Sequence, residues 1–245
     1  QSAVVRPRAS DRSMITVSWG CVVAVVAVTL TLGACGRKSE VPVVMPPQVP
    51  PVAANPAPVR RPPASVPEGA RRWRKVILAE WRYAFGIASD EAIPFSQIAQ
   101  ESGWKEDARS RVGALGLSQF MPSTAAGFQR NVSRLQELCS TPAGCPMEPR
   151  WAIRAMTVYD FDEWKWAGFA PTDRDRWAFM LSSYNGGRAA LRREQHACGK
   201  PCDQTRWFDH VERVGRRADW AIRENREYVR RIIFHHQPIY RRWLG

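Results

Sequence analysis

An all-α domain is the fold class this sequence predicts, and three observations predict it. From Arg71 onward, apolar residues recur at helical spacing in segments separated by Gly, Pro and Asn. Pro94, Pro122 and Pro149 each open such a segment, where a missing N–H and a fixed φ suit the first helical turn. No segment sustains the strict alternation of apolar and polar residues that a half-buried strand requires. The 245 residues are enough for one globular domain preceded by a leader and a linker.

The expected elements run in order. Arg71 to Phe85 reads as a helix with Trp73, Ile77, Trp81 and Ala84 on one side. Pro94 to Ser102 is the next, stopped by Gly103. Pro122 to Arg130, Pro149 to Trp166, Asp173 to Tyr184, Gly187 to Glu194 and Ala218 to His235 follow. The aromatic residues between Trp151 and Trp166 are expected in the core. The pair His235-His236 is expected to mark a helix end, and no metal site is read there. No internal repeat is visible.

Ahead of the domain, residues 70–245, lie two segments of different character. Residues 1–35 carry Arg6, Arg8 and Arg12, then an uncharged apolar stretch from Ile15 to Leu32, then Leu32-Gly33-Ala34-Cys35. A basic start, an apolar run and small residues before a cleavage point describe an export signal. The last four residues resemble the bacterial lipobox, which implies acylation of Cys35 and a periplasmic, membrane-anchored protein, by resemblance on the outer membrane because Gly36 follows the cysteine. An uncleaved apolar anchor is the alternative, since the stretch is close to the shortest that spans a bilayer. Residues 36–69 are rich in Pro, Val and Ala. Proline excludes a regular helix there and favours an extended tether.

The net charge of +13 admits acidic wall polymer, anionic lipid or nucleic acid as partners. The basic residues are scattered in pairs such as Arg192-Arg193, Arg216-Arg217 and Arg230-Arg231, with no long block. An export signal removes nucleic acid from the partners expected. Cys139 and Cys145, and Cys198 and Cys202, are spaced for short disulfide loops in an oxidising compartment. A zinc set of four cysteines would more often show C-x2-C knuckles, and neither pair has them. The connectivity stays open, and no metal or cofactor is expected.

The stretch Ile98-Ala99-Gln100-Glu101-Ser102-Gly103-Trp104 carries the chemistry. On a helix, Phe95, Ile98, Ala99 and Ser102 share an arc, and Glu101 lies about 60° from Ile98 at its rim. The negative end of the helix dipole and partial burial both raise the pKa of a carboxyl placed there. A Glu held protonated near neutrality is what acid-catalysed cleavage of a glycosidic bond needs. Glu106 and Asp107 follow the helix break and are expected in solvent.

Downstream come Ala108-Arg109-Ser110, Gly113-Ala114-Leu115-Gly116-Leu117-Ser118-Gln119-Phe120-Met121-Pro122-Ser123-Thr124-Ala125, Ser183-Tyr184-Asn185-Gly186-Gly187 and Glu224-Asn225-Arg226-Glu227-Tyr228-Val229. Together with Glu101-Ser102-Gly103, these blocks resemble the soluble lytic transglycosylase domain, in family order over most of residues 75–235. The resemblance implies a lysozyme-like helical fold related to goose-type lysozyme. It implies that Glu101 is the catalytic acid and Ser102 a supporting neighbour. Gln119 and Met121 would line the substrate groove, Tyr184 and Asn185 would stand beside the acid, and Glu224 and Tyr228 would close the site. Ser118, Ser183, Gly186 and Asn225 depart from the family pattern, which carries Met, Ala, Ala and Thr there. The two cysteine-bearing insertions between blocks would shape the groove.

Most glycosidases use two carboxylates, whereas one stands in a recognised catalytic position here. The resemblance implies a one-carboxylate route on peptidoglycan, with Glu101 as acid and then base and a 1,6-anhydro sugar as product. A goose-type hydrolase using the same Glu101 with water, and a non-catalytic wall-binding protein, are the alternatives.

Overall fold

The computed structural model describes residues 66–141 and 144–245. The expected export signal, Cys35 and nearly all of the Pro-rich tether lie outside the described residues.

The described part is helical. Helix α1 spans Glu68–Phe85, starting directly after Pro67 and ending where Gly86 turns to φ +80°. It therefore begins inside the stretch expected as linker. Its face of Ile77, Leu78 and Trp81 is buried, and Trp81 stacks on Phe85 at 3.9 Å. Helix α2 spans Ala92–Glu101. It starts two residues before Pro94 because the Asp90 carboxylate accepts the Ala92 N–H at 3.1 Å. Pro94 still falls in the first turn, where no intrahelical donor is needed. Helices α3 (Pro122–Asn131) and α4 (Ser133–Gln136) follow.

Helix α5 has the expected bounds, Pro149–Trp166, with Glu148 accepting the Arg150 N–H at its start. The Trp151 side chain is fully buried, and its Nε1 donates to Gln129 Oε1 at 2.7 Å. Helix α6 spans Asp173–Gly186, capped by Thr172, whose Oγ1 accepts the Asp175 N–H. It runs two residues past Tyr184, so both Tyr184 and Asn185 are helical. Helix α7 spans Arg188–Ala197.

The last expected helix, Ala218 to His235, is broken by a π turn, and the helical run continues past His235. Helix α8 covers Asp219–Arg230, a π-helical turn covers Arg231–His236, and α9 covers Gln237–Leu244. His235 and His236 thus lie inside a longer helical run and do not end it. Pro238 explains the widened turn: in a straight α-helix its ring would strike the carbonyl four residues earlier, and a π turn relieves that conflict.

Helix α5 packs against α1 and α6, α6 against α8, and α2 against α9 and the π turn. Trp81, Trp151, Trp207, Phe95, Phe120, Phe128 and Phe179 fill the interior. Disulfides join Cys139 to Cys145 and Cys198 to Cys202. No helix among the described residues is long and apolar enough to cross a membrane, and no cluster of metal-ligating side chains occurs among them.

Candidate active site

Glu101 is the last residue of α2, and the backbone stops there for a local reason. Gly103 and Trp104 both take left-handed conformations, φ +59° and +71°. The strain at Trp104 is held by tertiary contacts. Its backbone N–H donates to Ser102 Oγ at 3.2 Å, and its ring Nε1 donates to Tyr240 Oη at 2.7 Å. Gly69 lies against it so closely that an added Cβ would meet Trp104 Cβ at 2.8 Å. The abrupt turn leaves the Glu101 side chain at the helix end, flanked by α8.

Tyr228 Oη donates to Glu101 Oε1 at 2.6 Å. Burial pushes the Glu101 carboxyl up to about 8, the Tyr228 hydrogen bond opposes the rise, and the charge of Glu224 adds to it. At neutral pH Glu101 is therefore mostly the protonated acid. Glu224 is itself raised, by burial and then by Glu227, and its Oε2 is buried without a hydrogen-bond partner. Tyr228 and Tyr184 are buried phenols held neutral, with desolvation the larger cause and Glu101 the next. Tyr184 Oη donates to the Ser118 carbonyl at 2.7 Å, and its ring lies 5.0 Å from that of Tyr159. Glu101, Tyr228, Glu224 and Tyr184 are thus gathered into one electrostatic cluster.

The other expected site residues have different placements. Ser102 Oγ spends its hydrogen bonds on the Ile98 carbonyl and the Trp104 N–H, so it secures the helix end and does not touch the Glu101 carboxyl. Gln119, at φ +48°, ties its own loop by donating Nε2 to the Gly116 carbonyl at 2.8 Å. Met121 is half-buried and precedes α3. Asn185 reaches α8 through Asn225, whose Nδ2 donates to Asn185 Oδ1 at 2.8 Å. That bond occupies the Asn185 oxygen. Glu106 is not free in solvent: its Oε1 accepts from Trp73 Nε1 at 2.8 Å and Arg72 Nη1 at 3.1 Å, anchoring the loop after α2 to α1.

The loop from Arg109 to Phe120 is shaped by two isolated bridges, Arg109 with Leu115 and Leu115 with Phe120. Gly116, at φ +73°, abuts the Pro146 carbonyl so tightly that no Cβ has room. Pro146 follows Cys145, so the first disulfide braces the segment against which this loop rests.

Each departure from the family pattern has a local partner. Ser118 Oγ donates to the Ala152 carbonyl at 3.1 Å, and Ser183 Oγ donates to Glu163 Oε2. Asn225 is fully buried, accepts from Ser182 Oγ at 2.7 Å and from Arg217 and Arg226, and donates to the Ser182 carbonyl at 2.9 Å. Gly186 leaves the space that Arg217 fills: an added Cβ would collide with Arg217 Nη1 and stand 2.9 Å from Asn225 Nδ2. Arg217 and Arg226 both pair with the fully buried Glu194.

Sequence reasoning passed over a second buried polar set. Asp160 and Glu163 lie on α5, and Gln97 lies one turn before Glu101 on α2. Gln97 Nε2 donates to Asp160 Oδ1 at 3.2 Å, and Glu163 is bonded by Arg188 at 2.9 Å and by Ser183. The one available signal was three polar residues on helix faces otherwise apolar.

The described residues share an all-α fold with two solved lytic transglycosylases. Residues 81–145 match the family model described as Transglycosylase SLT domain. Among solved structures, the chain is similar to the 70 kDa soluble lytic transglycosylase SLT70 of Escherichia coli, at 22% identity and a TM-score of 0.51 over 71% of this chain and 24% of that one. It is also similar to the lytic transglycosylase Slt of Pseudomonas aeruginosa, solved as an inactive Glu-to-Gln mutant, at 24% identity and a TM-score of 0.52 over 70% of this chain and 24% of that one. The chain thus spans about a quarter of the length of each. No curated protein matches it.

Proposed function

We propose that this protein is a peptidoglycan lytic transglycosylase, with Glu101 as its acid and base. The observation that carries the proposal is the Glu101 carboxyl, held near a pKa of about 8 and bonded by Tyr228, within the segment that matches the SLT domain. The inactivity of the P. aeruginosa relative as a Glu-to-Gln mutant supports a mechanism with an essential Glu carboxyl.

In the proposed reaction Glu101 gives its proton to the oxygen linking N-acetylmuramic acid to N-acetylglucosamine. The C1–O bond breaks, and the carbonyl of the sugar's own acetamido group stabilises the cation developing at C1. The Glu101 carboxylate, now accepting from Tyr228, takes the proton of the C6 hydroxyl. O6 then bonds to C1 and closes a 1,6-anhydro ring. Glu101 ends protonated, and no water is consumed. A pKa near neutrality suits both halves of the cycle, because the best proton-transfer group titrates close to the working pH. Asn185, with its oxygen engaged by Asn225, would present its amide N–H groups to the glycan. Gln119, Met121, Glu224 and Ser102 belong to the surrounding groove in this reading. Cleavage would take place outside the cytoplasm, on a chain tethered through Cys35 or through its apolar segment.

Glu224 is the observation that favours a second reading. A second carboxylate beside Glu101 could activate water in the manner of a hydrolase. Digestion of purified sacculi decides between the two. Anhydro-muropeptides from the wild type, and none from Glu101→Gln with the fold retained, are the expected results. Products heavier by one water would assign hydrolysis. Full activity of the Gln variant would remove Glu101 from the reaction.

A further inference from the structure

Asp160 and Gln97 are both fully buried, and they meet where α5 faces α2. Their one hydrogen bond, Gln97 Nε2 to Asp160 Oδ1, leaves two atoms buried without partners: Gln97 Oε1 and Asp160 Oδ2. With Asp160 ionised, both orphans are acceptors, and nothing on either side chain can serve them. Two unserved acceptors and an unpaired buried charge would each cost on the order of kcal/mol. A single proton on Oδ2 removes all three problems, because a carboxylic acid and a carboxamide can exchange two hydrogen bonds at once.

We propose that Asp160 is a neutral carboxylic acid in the native protein, with Oδ2–H donating to Gln97 Oε1 and Gln97 Nε2–H to Asp160 Oδ1. This pair acts as a positioning element for α2, one turn before Glu101, and it withholds a second negative charge from the acid. The groups around Asp160 agree with a neutral state. Glu101 at the end of α2 and Glu163 on α5 disfavour its charge, after burial as the largest cause, and the Gln97 bond alone opposes them. Tyr159 on α5, Tyr184 on α6 and Tyr228 on α8 complete the surroundings, and all three phenols are held neutral by burial. Arg188, the cation that reaches this cluster, is bonded to Glu163 and Asp162 instead.

Two measurements test the pair. Infrared spectroscopy of the full chain with carbon-13-labelled aspartate, at pH 7, should contain an isotope-shifted band of a protonated aspartic carboxyl, and Asp160→Asn should lose it. Absence of the band in the wild type overturns the proposal, and so does its persistence in the variant. This measurement needs no activity, so it stands even if the assignment of Glu101 fails. The second measurement rests on that assignment. If Asp160 is neutral, the alkaline limb of the kcat/KM profile of Asp160→Asn stays at the wild-type position, whatever the absolute rate. If Asp160 is ionised, its removal eases ionisation of Glu101 and moves the limb to lower pH, which overturns the proposal. Should Asp160→Asn fail to fold, Gln97→Leu supplies the second variant. Loss of the Oδ2–H partner should move the labelled carbonyl band to higher frequency, and an unmoved band overturns the pairing.

Discussion

Replacing Tyr228 by Phe removes one hydroxyl and keeps the ring that buries the carboxyl. The hydrogen bond to be lost runs from Tyr228 Oη to Glu101 Oε1 at 2.6 Å, and it favours the ionised form. A hydrogen bond to a charged acceptor contributes about 1.5–3 kcal/mol, and one to a neutral acceptor about 0.5–1.5 kcal/mol. The difference, roughly 1–1.5 kcal/mol, is what the phenol gives the carboxylate over the acid. At about 1.36 kcal/mol per unit, its loss moves Glu101 up by about one unit. The wild-type group ionises at about 8. In the proposed mechanism only protonated Glu101 starts the reaction, so kcat/KM falls as pH rises through that value. The profile of Tyr228→Phe on soluble glycan strands, measured from acid to well above pH 8, should fall about one unit later than wild type. Its rate at neutral pH can drop independently, because the carboxylate formed during turnover loses its partner. An alkaline limb that stays in place, or shifts to lower pH, would refute the reasoning: either the limb is not Glu101, or the hydroxyl does not stabilise its charge.

Three further outcomes follow from the same geometry. Glu224→Gln removes a negative charge that raises Glu101, so its alkaline limb should move to lower pH, opposite to Tyr228→Phe; an upward shift would contradict the placement of Glu224. Glu101→Gln should change stability with a definite sign. The folded pKa is raised, so the stability associated with protonated Glu101 is fully present below about 4.5 and is lost as pH rises through about 8. The Gln variant lacks that loss and should exceed wild type by roughly 1–3 kcal/mol at pH 8 in denaturant titrations, a figure discounted because part of the side chain opens to solvent; equal stabilities at all pH values would argue against a raised pKa. Gly186→Ala restores the residue usual in the family, yet it should destabilise by about 1–2 kcal/mol, because the new methyl pushes the Arg217 guanidinium away from the buried Glu194, which keeps Arg226 as its partner. A neutral or stabilising result would mean that the arginine relocates without loss.

Local physics made much of the helical framework legible in the sequence. Pro149 cannot continue a preceding helix and suits the start of one, which is why α5 begins where expected. Gly103 can turn left-handed, which is why α2 stops just after Glu101. The blocks around Glu101, Ser118, Tyr184 and Tyr228 are short words whose order in the chain can be read without coordinates. What the sequence did not contain is distance. Glu101 and Tyr228 are 127 positions apart, and no helical period predicts that their oxygens meet.

The same limit explains the residues that were passed over or placed elsewhere. Asp160 and Gln97 each read as ordinary polar positions, and only the approach of α5 to α2 makes them partners. The widened turn before Pro238 depends on the downstream helix resuming against α2, which a local stop signal cannot foresee. The resemblance does not reveal that Ser102 and Gln119 both bond nearby backbone, since those bonds depend on how the turns after α2 and Gly116 close. By itself, then, the sequence determined most of the helical segments, where α2 ends to within a residue and which carboxyl stands there. Burial, with Tyr228 and Glu224 brought in from α8, decided that this carboxyl keeps its proton, because desolvation and charge proximity are properties of packing and not of any one segment.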